Sequence, residues 1–125
     1  MELELKAKVI KGAGLGKKYG FPTINLKPLV NTEHTPPGIY ICAIFINKQK
    51  YNGVMHCGPK SIGSNDINKI YFEVHIFDFN QNIYGKNVII HLLKKIREVR
   101  KFKDVNALIR QIKNDIKFTK KYFNA

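Results

Sequence analysis

Leu3, Leu5, Ala7 and Val9 alternate with Glu4, Lys6 and Lys8, the period-two pattern of a strand with one wet face. A glycine-rich stretch over residues 12–20 follows and runs straight into Phe21-Pro22-Thr23-Ile24-Asn25-Leu26, read as extended chain. Residues 31–37 carry polar and proline punctuation and predict a loop. Residues 38–46 form a dense β-branched and aromatic run. Asn47-Lys48-Gln49-Lys50 then turns the chain into residues 51–57, which predicts a hairpin. After a turn-rich loop over 58–68, residues 70–79 and 87–93 predict two more strands joined around Asn80-Gln81-Asn82. Beyond Asp104 the period changes. Val105, Leu108, Ile109, Ile112, Ile116 and Thr119 recur at three- and four-residue steps with Lys and Arg between them, and Asp104 is placed to cap that helix. The expectation is a mainly β chain with five or six short strands. They form a six-stranded antiparallel barrel over residues 1–102, closed by one C-terminal helix over 104–123, all within a single domain of 1–125.

A chain of 125 residues has room for one core, and 44% hydrophobic residues argue against wholesale disorder. The net charge of +13 favours an anionic partner: nucleic acid, a membrane surface or a phosphorylated substrate. Charge alone does not choose. Many of the basic residues follow Lys94, where a merely solvated helix face accounts for them equally well. Cys42 and Cys57 each sit in an apolar stretch and read as buried free thiols, not as a disulfide framework or zinc knuckle. No apolar run approaches the roughly 20 residues of a membrane span. The N-terminus lacks the apolar core of a signal peptide. A cytoplasmic protein with no membrane partner is expected.

Three features could carry chemistry. Gly12, Gly14, Gly16 and Gly20 permit backbone conformations that turn successive N–H groups toward an anion, and Lys17 and Lys18 add charge to the same loop. The loop lacks the Gly-Lys-Ser/Thr ending of a Walker A motif, and extended chain follows it where a Rossmann unit has a helix. A plain flexible turn stays open at this point. Pro22 stiffens the backbone ahead of Thr23 and Asn25, which as strand residues two apart face the same way. Their neutral oxygens suit Mg²⁺ alongside phosphates, although a Thr and an Asn capping a turn explain the pattern too. Glu73 shares a strand face with Tyr71, His75 and Phe77, opposite Phe72, Val74 and Ile76. An acid among aromatics needs a partner or a task, and a carboxylate here could take the proton of an attacking hydroxyl. A metal site on Glu73 and His75 lacks further ligands in sequence, and His34, His56 and His91 are scattered structural residues.

Taken in order, these segments resemble the riboflavin kinase family almost end to end. The family's glycine loop and Gly-Phe-Pro-Thr-Ala-Asn match Gly20-Phe21-Pro22-Thr23-Ile24-Asn25. Its Gly-Val/Ile-Tyr strand matches Gly38-Ile39-Tyr40, and its Tyr-x-Gly-Val segment matches Tyr51-Asn52-Gly53-Val54. Its Glu-Val-His strand matches residues 73–79, followed by Ile83-Tyr84-Gly85. Ile96-Arg97, Lys101-Phe102 and the helical Gln111-to-Asp115 element complete the order.

The resemblance implies a barrel kinase that moves the γ-phosphate of ATP onto the ribityl 5′-hydroxyl of riboflavin, giving FMN. It implies nucleotide contacts from Gly12, Gly14, Gly16, Lys17, Lys18, Gly20, Pro22, Thr23 and Asn25. Thr23 and Asn25 would hold Mg²⁺ or another divalent ion, Glu73 would act as general base, and Arg97 and Phe102 would border the flavin. In many bacteria the domain follows an adenylyltransferase domain that makes FAD; without it the product is FMN. A monomer with no obligatory nucleic-acid partner is expected.

Two segments depart from the family pattern. Gly58-Pro59-Lys60-Ser61-Ile62-Gly63 lacks the usual Pro-Thr pair, and Arg97-Glu98-Val99 stands where Arg-x-Glu is usual. Both fall on the flavin side, so a slow, flavin-binding derivative of the kinase is one alternative. The other is a basic β-barrel that binds nucleic acid; the aromatic content of 11% fits it, while the Phe-Pro-Thr-Ile-Asn segment has no task in it.

Overall fold

A computed structural model describes residues 3–12, 20–63 and 66–124. Six strands form in chain order: β1 (Leu3–Ile10), β2 (Ile24–Pro28), β3 (Gly38–Ile46), β4 (Gln49–Gly58), β5 (Tyr71–Ile76) and β6 (Asn87–Arg97). One helix follows, α1 (Val105–Phe123). The strands close into a barrel in the order β1-β2-β5-β4-β3-β6, every pair antiparallel. The expected six-stranded barrel with one C-terminal helix is therefore the observed fold. The helix does not do the closing, however. β1 pairs with β2 on one side and β6 on the other, so no free edge remains for it to cover.

Period-two patterning accounts for the interior. Leu5, Ala7 and Val9 of β1, Phe72, Val74 and Ile76 of β5, and Val88, Ile90 and Leu92 of β6 all point into one core. β3 breaks the alternation. Tyr40, Cys42, Ile44 and Ile46 fill the barrel, yet Ile39, Ile41 and Ala43 between them are buried too, which is why this strand reads as a continuous apolar run. The β3–β4 connection is a two-residue turn in which Asn47 and Lys48 both take positive φ (50° and 70°), the handedness that matches twisted strands.

The predicted ends of three strands shift. β4 starts at Gln49, inside the stretch expected to turn. β5 stops at Ile76, because Asp78 adopts φ 55° and turns the chain. β6 continues to Arg97, with ladder irregularities against β3 between Ile39 and Tyr40 and between Ile41 and Cys42. Asp104 caps α1 as expected, its carboxylate accepting the Asn106 N–H at 2.8 Å, and Lys120 and Lys121 complement the dipole of the last turn. Leu108, Asp115 and Thr119 are the buried positions of the helix.

Candidate active site

β5 has two faces with different tasks. Its inward residues belong to the core, whereas Tyr71, Glu73 and His75 point outward and are half-buried. The ladder sets Glu73 directly opposite Asn25 on β2 and His56 on β4. Residues paired in this way are close neighbours, with Cα atoms about 4.5–5.5 Å apart. A carboxylate is thus flanked by a carboxamide and an imidazole across three adjacent strands.

Backbone features secure the β2 side. A Cβ at Gly12 would collide with the Asn25 carboxamide, so only glycine lets that side chain lie against the chain leaving β1. Gly20, at φ 89°, turns the chain into Phe21-Pro22-Thr23. His75 Nδ1 lies 2.8 Å from the Pro22 carbonyl oxygen; a carbonyl only accepts, so Nδ1–H is the donor. This bond ties the segment bearing Thr23 to the strand bearing Glu73.

Two hollows meet at Thr23. The first, of about 150 Å³, lies between the outer face of the barrel and α1; its walls include Val54, Glu73, His75, Arg97, Ile112 and Thr23. The second opens on the other flank, among Lys11, Gly12, Thr23, Asn25, Ile83 and Tyr84. The Lys11 ammonium sits 5.4 Å above the ring of the exposed Tyr84. One hollow is mostly apolar with two carboxylates, Glu73 and Asp115, in its wall. Its neighbour offers an aromatic face and polar side chains.

Arg97 and Asp115 join the barrel to the helix. Arg97 Nε–H donates to Asp115 Oδ1 and Oδ2 at 3.0 and 3.1 Å, and Nη2–H donates to Oδ2 at 2.8 Å. Gln111 Nε2–H donates to Oδ1 at 3.0 Å, and Arg97 Nη1–H to the Glu98 carbonyl at 3.0 Å. Asp115 is only 6% exposed. Leaving one partner of so buried a pair alone costs about 3–5 kcal/mol. On the loop side, His56 Nε2–H donates to the Pro59 carbonyl at 2.8 Å, and Lys60 lies 4.9 Å over the ring of Tyr71. Burial pushes the Cys42 thiol up to about 12 and that of Cys57 up to about 11, so both stay protonated at neutral pH and inert as nucleophiles.

Glu73, Thr23, Asn25 and Gly12 are therefore brought together, and the Pro22 carbonyl is tied to His75, whereas Gly20 lines neither hollow. Gly14, Gly16, Lys17 and Lys18 lie outside the described residues. Arg97 reaches the first hollow, but its guanidinium is engaged by Asp115. Phe102 is not among that hollow's lining residues; its N–H donates to the Ser61 carbonyl at 2.7 Å, and Arg100 lies 5.0 Å from its ring. Asp115, His56 and Tyr71 are not site residues expected from the sequence: Tyr71 shares the face of Glu73, His56 reads as structural, and Asp115 enters only as the end of the helical Gln111-to-Asp115 element. Among the described residues no three His, Cys, Asp or Glu side chains gather into a metal cage. Thr23 and Asn25 present neutral oxygens beside the Gly12 backbone, a donor set that fits a hard divalent cation sharing its shell with phosphate oxygens.

Fold and site together define a closed six-stranded barrel with a helix-walled hollow on its outer face. The chain matches the Flavokinase (riboflavin kinase) family model over residues 1–123 and belongs to the riboflavin kinase family. It is 37% identical over 115 residues to the RNA-binding riboflavin kinase RibR of Bacillus subtilis, covering 92% of this chain and 49% of that protein. It is likewise 37% identical over 122 residues to the bifunctional riboflavin kinase/FMN adenylyltransferase of the same organism, covering 96% and 38%. The chain thus spans about half the length of these curated relatives, or less. Among solved structures it superposes on a Streptococcus pneumoniae chain described as a macrolide-efflux protein, with TM-score 0.83, 36% identity and coverage of 94% and 38%. Riboflavin kinase from Trypanosoma brucei superposes with TM-score 0.65 at 21% identity, covering 98% and 80%, a likeness of fold.

Proposed function

We propose that this chain transfers the γ-phosphate of ATP to the ribityl 5′-hydroxyl of riboflavin, producing FMN and ADP. The observation that carries the reading is the β2–β5 register, which puts Glu73 opposite Asn25 with Thr23 on the boundary of two hollows. Riboflavin occupies the helix-walled hollow and ATP the one beside Gly12. Glu73 accepts the hydroxyl proton as the oxygen attacks the γ-phosphorus; the bond from that phosphorus to the β,γ-bridging oxygen breaks, and ADP leaves with the electron pair. Thr23 and Asn25 would hold Mg²⁺, which when bound neutralises charge on the phosphates. Positioning does most of the remaining work, since little covalent chemistry falls to the protein. The chain acts in this reading as a cytoplasmic monomer that needs no nucleic acid for turnover.

The test is to incubate the protein with riboflavin, ATP and Mg²⁺ and to separate flavins chromatographically. FMN accumulates in wild type, and Glu73→Gln lowers kcat about 10²–10⁴-fold with an unchanged unfolding transition. Absence of FMN from the wild type rejects the function. FMN formed at full rate by Glu73→Gln rejects the base assignment alone.

A second reading, nucleic-acid binding, is favoured by one feature. Arg110, Lys113, Lys117 and Lys121 are exposed on the side of α1 away from the hollow, and one relative is described as RNA-binding. Tight, salt-sensitive binding of single-stranded RNA with no FMN made would favour it.

A further inference from the structure

The first hollow has one wall that the barrel does not supply. Leu108, Ile112 and Ile116 come from α1, while Ile39, Val54 and Glu73 come from the strands facing it. Barrel closure does nothing to hold that helix, because the strands complete their own ladder. Two cation–π contacts, Lys94 with Phe118 and Lys120 with Phe77, add exposed and weak ties. The Arg97–Asp115 pair differs in kind. It stands between Ile112 and Ile116 in the helix, is buried, and has Gln111 as an extra donor. The Asp115 carboxylate is filled by protein donors, and three guanidinium nitrogens of Arg97 are engaged. Neither group is free to do chemistry.

The second hollow contains no residue of α1 at all. A change in how the helix seats would therefore alter one substrate site and leave the other as it is. We propose that Asp115, acting through Arg97, is a positioning residue that sets the spacing between the helical wall and Glu73 and so governs affinity for the acceptor but not for the nucleotide. The proposal rests on the assignment of riboflavin to the helix-walled hollow.

The experiment compares wild type, Asp115→Asn and Gln111→Leu, which removes a donor to Asp115 from a side chain that lines neither hollow. Riboflavin KM and ATP KM are measured separately, and riboflavin binding is followed by quenching of flavin fluorescence. Asp115→Asn should raise riboflavin KM and Kd roughly tenfold, with ATP KM and kcat at saturating riboflavin within about twofold of wild type. Gln111→Leu loosens the same anchor without touching the hollow and should raise riboflavin KM about threefold, again with ATP KM unchanged. It also keeps the test decisive if Asp115→Asn folds poorly. Equal rises in both KM values, or no rise in riboflavin KM in either variant, would each overturn the proposal. A wild type that binds riboflavin but makes no FMN sinks the kinase reading instead, and the binding comparison still decides the role of Asp115.

Discussion

The inside of the barrel and the hollow outside it are built from the same strands, one residue apart. Phe72, Val74 and Ile76 of β5 are core; Tyr71, Glu73 and His75 of the same six-residue strand face the helix. Inside, Ile44, Met55, Val74, Ile90 and Leu92 are wholly shielded, and the group has no polar chemistry to offer. Outside, half-buried side chains carry a carboxylate, an imidazole and a hydroxyl. A strand's alternation thus lets one segment stabilise with one face and position reactive groups with the other. Substitutions on the two faces should fail differently, the inner ones through stability and the outer ones through binding or rate.

The largest effect that would test this contrast is Ile44→Ala. Truncation of a fully buried side chain should cost about 2–5 kcal/mol in urea unfolding, while kcat and both KM values per folded molecule stay at wild type. A proportionate fall in kcat of the folded fraction would break the comparison. Smaller, and on the outer face, is Asn25→Ala or Thr23→Ala. Either should weaken Mg²⁺-dependent ATP binding by about 10–100-fold in calorimetry. The unfolding midpoint should barely move.

The effect that is smallest near neutral pH separates the thiols of the interior from the groups outside. Burial raises Cys42 from 9.0 to about 12 and Cys57 from 9.0 to about 11. The folded chain therefore keeps these protons where the unfolded chain has released them. The stability they contribute is complete below pH 9 and is lost as pH rises through 11 and 12. Stability measured across this range should decline less steeply in Cys42→Ala than in wild type, whatever the offset at neutral pH.

Much of this was legible in the chain because it is local. The alternation of Leu3, Leu5, Ala7 and Val9, a turn within Asn47-Lys48-Gln49-Lys50 and the Asp104 cap each depend on neighbours within a few residues, and each appears in the structure, the turn tightened to Asn47-Lys48. The pairing of Glu73 with Asn25 was less so. Periodicity put Asn25 on the face of Thr23 and Glu73 on the face of Tyr71 and His75, but only the β2–β5 register makes them neighbours across 48 residues of chain. Other contacts left hardly a mark. The bond from His75 to the Pro22 carbonyl spans 53 residues, and the pairing of Arg97 with Asp115 joins a strand end to mid-helix. Asp78 ends β5 through a positive φ that no apolar pattern announces, so the strand looked longer than it is. The glycine loop was legible as a motif, with Gly14, Gly16, Lys17 and Lys18 outside the described residues.

Thr23 has a consequence for anyone who would redesign this protein. It belongs to the partition between two chambers, so a bulkier residue there intrudes on both at once. Val54 and Ile112 border the helix-walled chamber alone. Under the proposed transfer reaction, broadening the range of acceptor alcohols should start from those two positions, leaving the partition untouched.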